Sequence, residues 1–245
     1  MPTFLLHIEK PEHLTLFRQL TQALGISWQL HPEARYYTPK AHYTPEDIAA
    51  IVAQFPQDHP WTFSDLNDER IFPVSHVKKQ LLDNQLYIMP NPSTLHQKIL
   101  NLVATYLTLF VQENKLGSVY VAPVSIKIDE NNALEPDVIY ISLAKADGVG
   151  QQAIHVAPEL VVEVISPANY KKLREEKKAK YAAFGVQEYW EIYPKKQAIR
   201  VETLTYNEDS QENEYCLYDQ AEKTGSIRSQ VLDGFTLEVE RVFFL

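Results

Sequence analysis

With 245 residues, 45% of them hydrophobic, the chain can bury one large core or a core with a small appendage. It lacks the run of about 18 apolar residues that a membrane span needs, and its single Cys216 excludes an internal disulfide or a thiolate zinc cluster, so a soluble, cytoplasmic protein is expected. The formal charge of -9 excludes a protein that coats nucleic acid indiscriminately, because such binding is driven by Lys and Arg releasing counterions.

Residues 3–8 read as a short strand and Pro11 to Leu24 as an amphipathic helix, with Phe17, Leu20 and Leu24 on one side and Gly25 as its stop. Ile26 to Leu30 is read as a returning strand. Thr44-Pro45-Glu46-Asp47 predicts a helix start, with Thr44 as cap and acids in the first turn, and that helix is expected to end near Phe55-Pro56. Gln57 to Pro73 reads as a connection. The division expected is therefore a small N-terminal α/β extension over residues 1–74 and a main domain over residues 75–245.

In the main domain, Val77 to Met89 predicts a hairpin turning at Asp83-Asn84. Ser93 can cap a helix to about Asn114, with a stripe of Leu95, Ile99, Leu102, Val103, Tyr106, Leu107 and Phe110 and a stop at Gly117. Strands follow at Ser118–Ile128 and Leu134–Ser142 around the polar turn Asp129–Asn132, then a strand at residues 159–165. A helix from about Tyr170 to Phe184, stopped by Gly185, leads to a strand at Glu188–Tyr193. Alternating segments at residues 198–206, 214–218 and 227–231, and the run Phe235–Val239, complete the chain. The order helix, strand, strand, strand, helix, strand predicts an α/β fold with a mixed sheet.

Glu163 interrupts the apolar run Leu160-Val161-Val162-Glu163-Val164-Ile165. A strand of that composition is buried on both faces, where an unpaired carboxylate costs several kcal/mol, so a cation must meet it: a metal ion or Lys177. Asp137 stands at the mouth of the preceding strand, and adjacent strands can bring the two acids together. Such a pair repels unless a divalent cation neutralises it, and a hard oxygen site with few protein ligands is the Mg²⁺ pattern. At about 100° per helical residue, Lys177 falls among Tyr170, Leu173, Tyr181 and Phe184, whereas Lys171, Arg174 and Lys178 point elsewhere. Six of the 23 Lys and Arg residues lie between Lys171 and Lys180, which reads either as an anionic contact or as a solvated helix face.

The run from Ala157 to Pro167 around Glu163, Lys177 with Tyr181, and Gly185-Val186-Gln187-Glu188-Tyr189-Trp190 together resemble the Uma family of restriction endonucleases, in the PD-(D/E)XK nuclease superfamily. Asn91-Pro92-Ser93 with His96, Pro136-Asp137-Val138 and Val231-Leu232-Asp233-Gly234-Phe235 extend the resemblance over roughly residues 76 to 245. It implies a restriction-endonuclease-like core and Mg²⁺-dependent hydrolysis of phosphodiesters, most naturally in DNA, with Mn²⁺ able to substitute. Asp137 and Glu163 match the metal-binding acids, joined by the Val164 main-chain carbonyl, and Lys177 matches the catalytic lysine. The superfamily's usual lysine position is Ile165, the family's arginine-aspartate pair is Lys172-Leu173 here, and the upstream glutamate is Gln80. His96 and Glu188 are expected to support the site from beside it, and Lys171, Lys172, Arg174 and Lys178 to hold the phosphate backbone. Cutting of both strands by a single-site enzyme implies a homodimer. The competing readings are a nuclease fold that only binds nucleic acid or protein, and a two-carboxylate glycosidase, which would leave the basic helix without a role.

Overall fold

The structure, a computed structural model, describes residues 11–28, 35–75, 77–166 and 171–243. By its internal contacts the chain forms two compact units, Met1–Asn91 with Glu130–Asn132, and Pro92–Asp129 with Ala133–Leu245.

Capping chemistry sets the helix starts of the first unit. After α1 (Pro11–Ala23), the Thr44 hydroxyl accepts from the Asp47 N–H at 3.3 Å while the Asp47 carboxylate accepts from the Thr44 N–H at 3.0 Å, and α2 (Pro45–Val52) begins there. The same reciprocal box, Thr62 with Asp65, starts the one-turn α3 (Phe63–Leu66) inside the stretch expected to be plain connection. β1 (Lys79–Leu82) and β2 (Gln85–Ile88) form the expected hairpin, with Asp83 at φ +47° and Asn84 at φ +62°, the primed turn that matches strand twist. Tyr36, Phe55, Trp61 and Phe72 make an aromatic core. Residues 26–28 carry no regular structure, so that part of the strand expected from Ile26 is not formed. The strand expected at residues 3–8, like Leu30 and Tyr170, lies outside the described residues.

In the second unit Ser93 caps α4 (Thr94–Glu113) by accepting the His96 N–H at 3.2 Å. Ile99, Leu100, Val103, Ala104, Leu107 and Val111 turn inward, while Leu95, expected in the stripe, is 51% exposed. The helix stops at Lys115, whose φ is +55°, rather than at Gly117. Gly117 serves a different need: a Cβ there would lie 2.0 Å from the Ile141 carbonyl oxygen, so only glycine lets β3 (Gly117–Val121) approach this closely.

The two long strands expected next are each broken in two, giving β3, β4 (Ser125–Lys127), β5 (Ala133–Leu134) and β6 (Val138–Ser142). Pro123 and Pro136 sit in the breaks and donate no N–H to a ladder. β3 pairs with β6 and β4 with β5, both antiparallel, and β7 (Ala153–Ile154) joins β4 in parallel. β8 (Leu160–Val164) lies antiparallel to β6 and parallel to β9 (Glu188–Tyr193), with α5 (Lys171–Phe184) as the crossover that a parallel pair requires. Gly185, at φ +92°, ends α5 where the Val186 N–H reaches back to the Tyr181 carbonyl at 3.0 Å.

β10 (Ala198–Asn207) and β11 (Glu212–Glu222) complete a six-stranded mixed sheet in the order β11-β10-β9-β8-β6-β3. β12 (Ser226–Arg228) pairs with β13 (Thr236–Glu238), and α6 (Val239–Phe243) replaces the end of the strand read at Phe235–Val239. One sheet face packs Val138, Tyr140, Leu160, Val162, Val164 and Trp190 against α4 and the C-terminal segments. The opposite face carries Ile139, Val161, Glu163, Tyr189 and Glu191, and α5 meets it.

Candidate active site

The ladder places the two acids. Val138 stands opposite Val162, so Asp137, just ahead of β6, and Glu163, next after Val162 on β8, lie at the same end of the β6–β8 pairing. The Asp137 N–H donates to the Val162 carbonyl at 3.0 Å, and its Oδ2 accepts the Val164 N–H at 2.8 Å. Ile165 donates to the Ile192 carbonyl on β9 at 2.8 Å, so the main-chain groups of Val164 face the other way, toward β6 and Asp137. The main chain of Val164, next to Glu163, therefore meets the Asp137 carboxylate.

Helical spacing supplies the partners of Glu163. Lys177 and Tyr181, four residues apart on α5, share one stripe. The Lys177 Nζ lies 2.5 Å from Glu163 Oε1, and the Tyr181 hydroxyl donates to the same oxygen at 3.1 Å; Oε2 receives neither contact. Asp137, Glu163, Lys177 and Tyr181 are all buried. Burial first, and then the charges of Glu163 and Asp137, raise the Tyr181 pKa well above the usual phenol value, so Tyr181 is a neutral donor.

His96, in the first turn of α4, brings its Nε2 to 3.3 Å from Asp137 Oδ2. Its Nδ1 is buried without a hydrogen-bond partner among the described residues. Thus Asp137 Oδ2 meets both the Val164 main chain and the His96 imidazole. Glu188 does not join this group. It shares the face of Trp190, where it accepts from Trp190 Nε1 at 2.6 Å, Ser229 Oγ at 2.8 Å, Gln230 N at 2.6 Å and Val231 N at 3.1 Å. Strand alternation turned it away from α5, and it anchors the C-terminal segment instead.

Two of the four residues expected to hold phosphate are already paired. Arg174 Nε lies 3.3 Å from Glu191 Oε1, and Lys178 forms an ion pair with Glu202. Lys171 and Lys172 remain exposed, Lys172 at 89% of its side chain, loosely paired with Glu176 at 3.7 Å. Glu191 was not singled out from sequence, although it is a second acid in the apolar strand Glu188–Tyr193, the same feature that drew attention to Glu163. Tyr181 enters the sequence reading as a member of the stripe and of the Lys177–Tyr181 motif, and no sequence feature marks its hydrogen bond to Glu163.

Among the described residues no three His, Cys, Asp or Glu side chains gather as a metal cage. The candidate donors, the Asp137 and Glu163 carboxylates and the Val164 main-chain carbonyl, are all hard oxygens. Such a set fits an ion that keeps several of its waters, as Mg²⁺ does, and does not fit one that needs a closed nitrogen or sulfur cage.

A helix, three strands, a crossover helix and a fourth strand, with paired acids in the middle of the sheet, define a mixed α/β fold of the restriction-endonuclease-like kind. The chain belongs to the Uma2 family, described as "Putative restriction endonuclease", which matches residues 70–240. A similar solved structure is titled as a putative nuclease belonging to DUF820 from Anabaena variabilis; it aligns at a TM-score of 0.55 and 14% identity, covering 82% of this chain and 97% of that one. No curated protein matches. Among the described residues no helix is long and apolar enough to cross a membrane.

Proposed function

We propose that the protein is a Mg²⁺-dependent endonuclease that hydrolyses phosphodiester bonds in DNA, with Asp137, Glu163 and Lys177 as its catalytic residues. The observation that carries this is the convergence of a buried lysine on the buried Glu163 carboxylate, beside the residue, Val164, whose N–H the buried Asp137 carboxylate accepts. Asp137, Glu163 and the Val164 carbonyl would hold Mg²⁺ or Mn²⁺, which supplies a bound water of lowered pKa and polarises a phosphoryl oxygen. Lys177 places a positive charge where the attacking water and the developing phosphoryl charge meet. His96 restrains the Asp137 carboxylate, and Tyr181 keeps Glu163 turned toward Lys177. Lys171 and Lys172, exposed at the start of α5, hold the phosphate backbone, which fixes position without conveying sequence.

Cleavage of supercoiled plasmid with Mg²⁺ tests the proposal. It should fall by about 100-fold or more in folded Asp137→Ala and Lys177→Ala, given the usual contribution of positioned electrostatic groups. Equal activity in either variant refutes the assignment. A nuclease fold that only binds has one observation in its favour: Lys177 and Tyr181 both meet Glu163, which gives that buried carboxylate a structural charge partner. Calorimetry with Mg²⁺ separates the two, because heat of binding at neutral pH that vanishes in Asp137→Ala belongs to the enzyme alone. Double-strand cutting would use two copies, and sedimentation of the protein on a DNA duplex reads that number.

A further inference from the structure

Three buried carboxylates, Glu163, Glu191 and Glu202, stand on the neighbouring strands β8, β9 and β10. Glu163 and Glu191 share one register position, and strands are about 4.8 Å apart, so the row would repel if left unanswered. One helix answers all three: Lys177 meets Glu163, Arg174 meets Glu191 and Lys178 meets Glu202. The Tyr193 hydroxyl donates to the second oxygen of Glu191 at 2.5 Å, and Arg200 binds Glu202 at 2.8 Å.

The spacings interlock. Glu202 lies level with Tyr189, two residues before Glu191 on β9, a step of about 6.6 Å along the strands. Arg174 and Lys178 are four residues apart on α5, a rise of about 6 Å in the direction opposite to β9. Lys177 and Tyr181 form the adjacent stripe, displaced by three residues. Sliding α5 by one turn would separate both flanking cations from their carboxylates, so those two pairs fix the height and rotation at which Lys177 arrives.

We infer that Arg174–Glu191 and Lys178–Glu202 are positioning pairs that hold Lys177 at Glu163, and that these two cations serve placement rather than nucleic-acid contact. The inference rests on the catalytic reading of Lys177, because a lysine that must serve both Glu163 and a reacting phosphate needs a helix that does not shift with it. Lys177 has a flexible four-carbon stem, and it and Tyr181 hold one and the same Glu163 oxygen, a single anchor about which α5 could still turn.

The test uses the full chain and two independent readouts. Arg174→Gln should lower kcat for plasmid cleavage between about 10- and 100-fold with KM within 2-fold, the scale of a misplacement near 1 Å, and Arg174→Lys should recover most of it. A change in KM with kcat intact would mean that Arg174 contacts DNA, and would overturn the inference. The second readout needs no activity: the ¹⁵N resonance of the Lys177 ammonium, assigned by its loss in Lys177→Arg, should move and exchange faster in Arg174→Gln. An unchanged resonance overturns the placement role even if the wild type cleaves DNA; a moved resonance in a protein that cleaves nothing upholds the placement and refutes only the nuclease reading. Should Arg174→Gln fail to fold, Lys178→Gln reads the other clamp by the same two measurements.

Discussion

Replacing Lys177 with Met keeps an unbranched stem of similar reach but removes the ammonium from a pair whose side chains are 10% and 7% exposed. Glu163 would then be left, still buried, with the Tyr181 hydroxyl at 3.1 Å as its remaining partner on Oε1. Breaking a buried ion pair by deleting one member costs about 3–5 kcal/mol, most of it the stranded charge rather than the lost attraction. For a unit of this size that corresponds to a fall of about 6–20 °C in Tm, at about 2–4 °C per kcal/mol. The double variant Glu163→Gln/Lys177→Met removes the stranded charge while retaining an oxygen for Tyr181, so it should recover most of the loss. Urea unfolding of the wild type, both single variants and the double variant, followed by circular dichroism, measures the coupling directly. A Lys177→Met variant within about 0.5 kcal/mol of wild type, or a double variant as unstable as that single, would refute the reasoning, since both require a solvated Glu163.

Two tyrosines in contact between α5 and the sheet should behave oppositely. Tyr181→Phe deletes a hydrogen bond to a charged acceptor and should cost about 1.5–3 kcal/mol, whereas Tyr189→Phe should be neutral or slightly stabilising, because the Tyr189 hydroxyl is buried without a hydrogen-bond partner among the described residues. Burial first, and Glu163 next, raise both phenols above their usual pKa, so the folded state holds protons that the unfolded chain releases above pH 10. Their contribution is therefore complete below pH 10 and is lost as pH rises beyond it; stability measured from pH 8 to 11 should fall less steeply in Tyr181→Phe. Glu188→Gln should cost about 1–3 kcal/mol, because both carboxylate oxygens accept two donors and an amide N–H would face two of them. Its turnover per folded molecule should equal that of the wild type, which separates it from the α5-facing acids.

The central sheet was legible because its signals are local: an apolar run for β8, a stripe for α4, and glycine after α5. Glu163 and Lys177 could be paired from sequence because one strand and the helix that follows it have fixed periods. The breaks in the third and fourth expected strands were not foreseen, although Pro123 and Pro136 carry the reason. Other contacts stay hidden in the sequence for a different reason. Glu188, Arg174 and Lys178 each choose partners far away in sequence, at Ser229, Glu191 and Glu202, and nothing in the periodicity of α5 or β9 reveals which long-range acid or donor is in reach. Charge runs on a helix show where cations stand, and only the strand register shows that two of them are already occupied.

The most direct measurement is anomalous diffraction from crystals soaked with Mn²⁺. One strong peak is expected between Asp137 and Glu163, at about 2.0–2.3 Å from a carboxylate oxygen of each, with the Val164 carbonyl also in range. No peak there, with Glu163 held by Lys177 and Tyr181, would contradict a divalent-metal hydrolase and leave Glu163 and Lys177 as a structural ion pair.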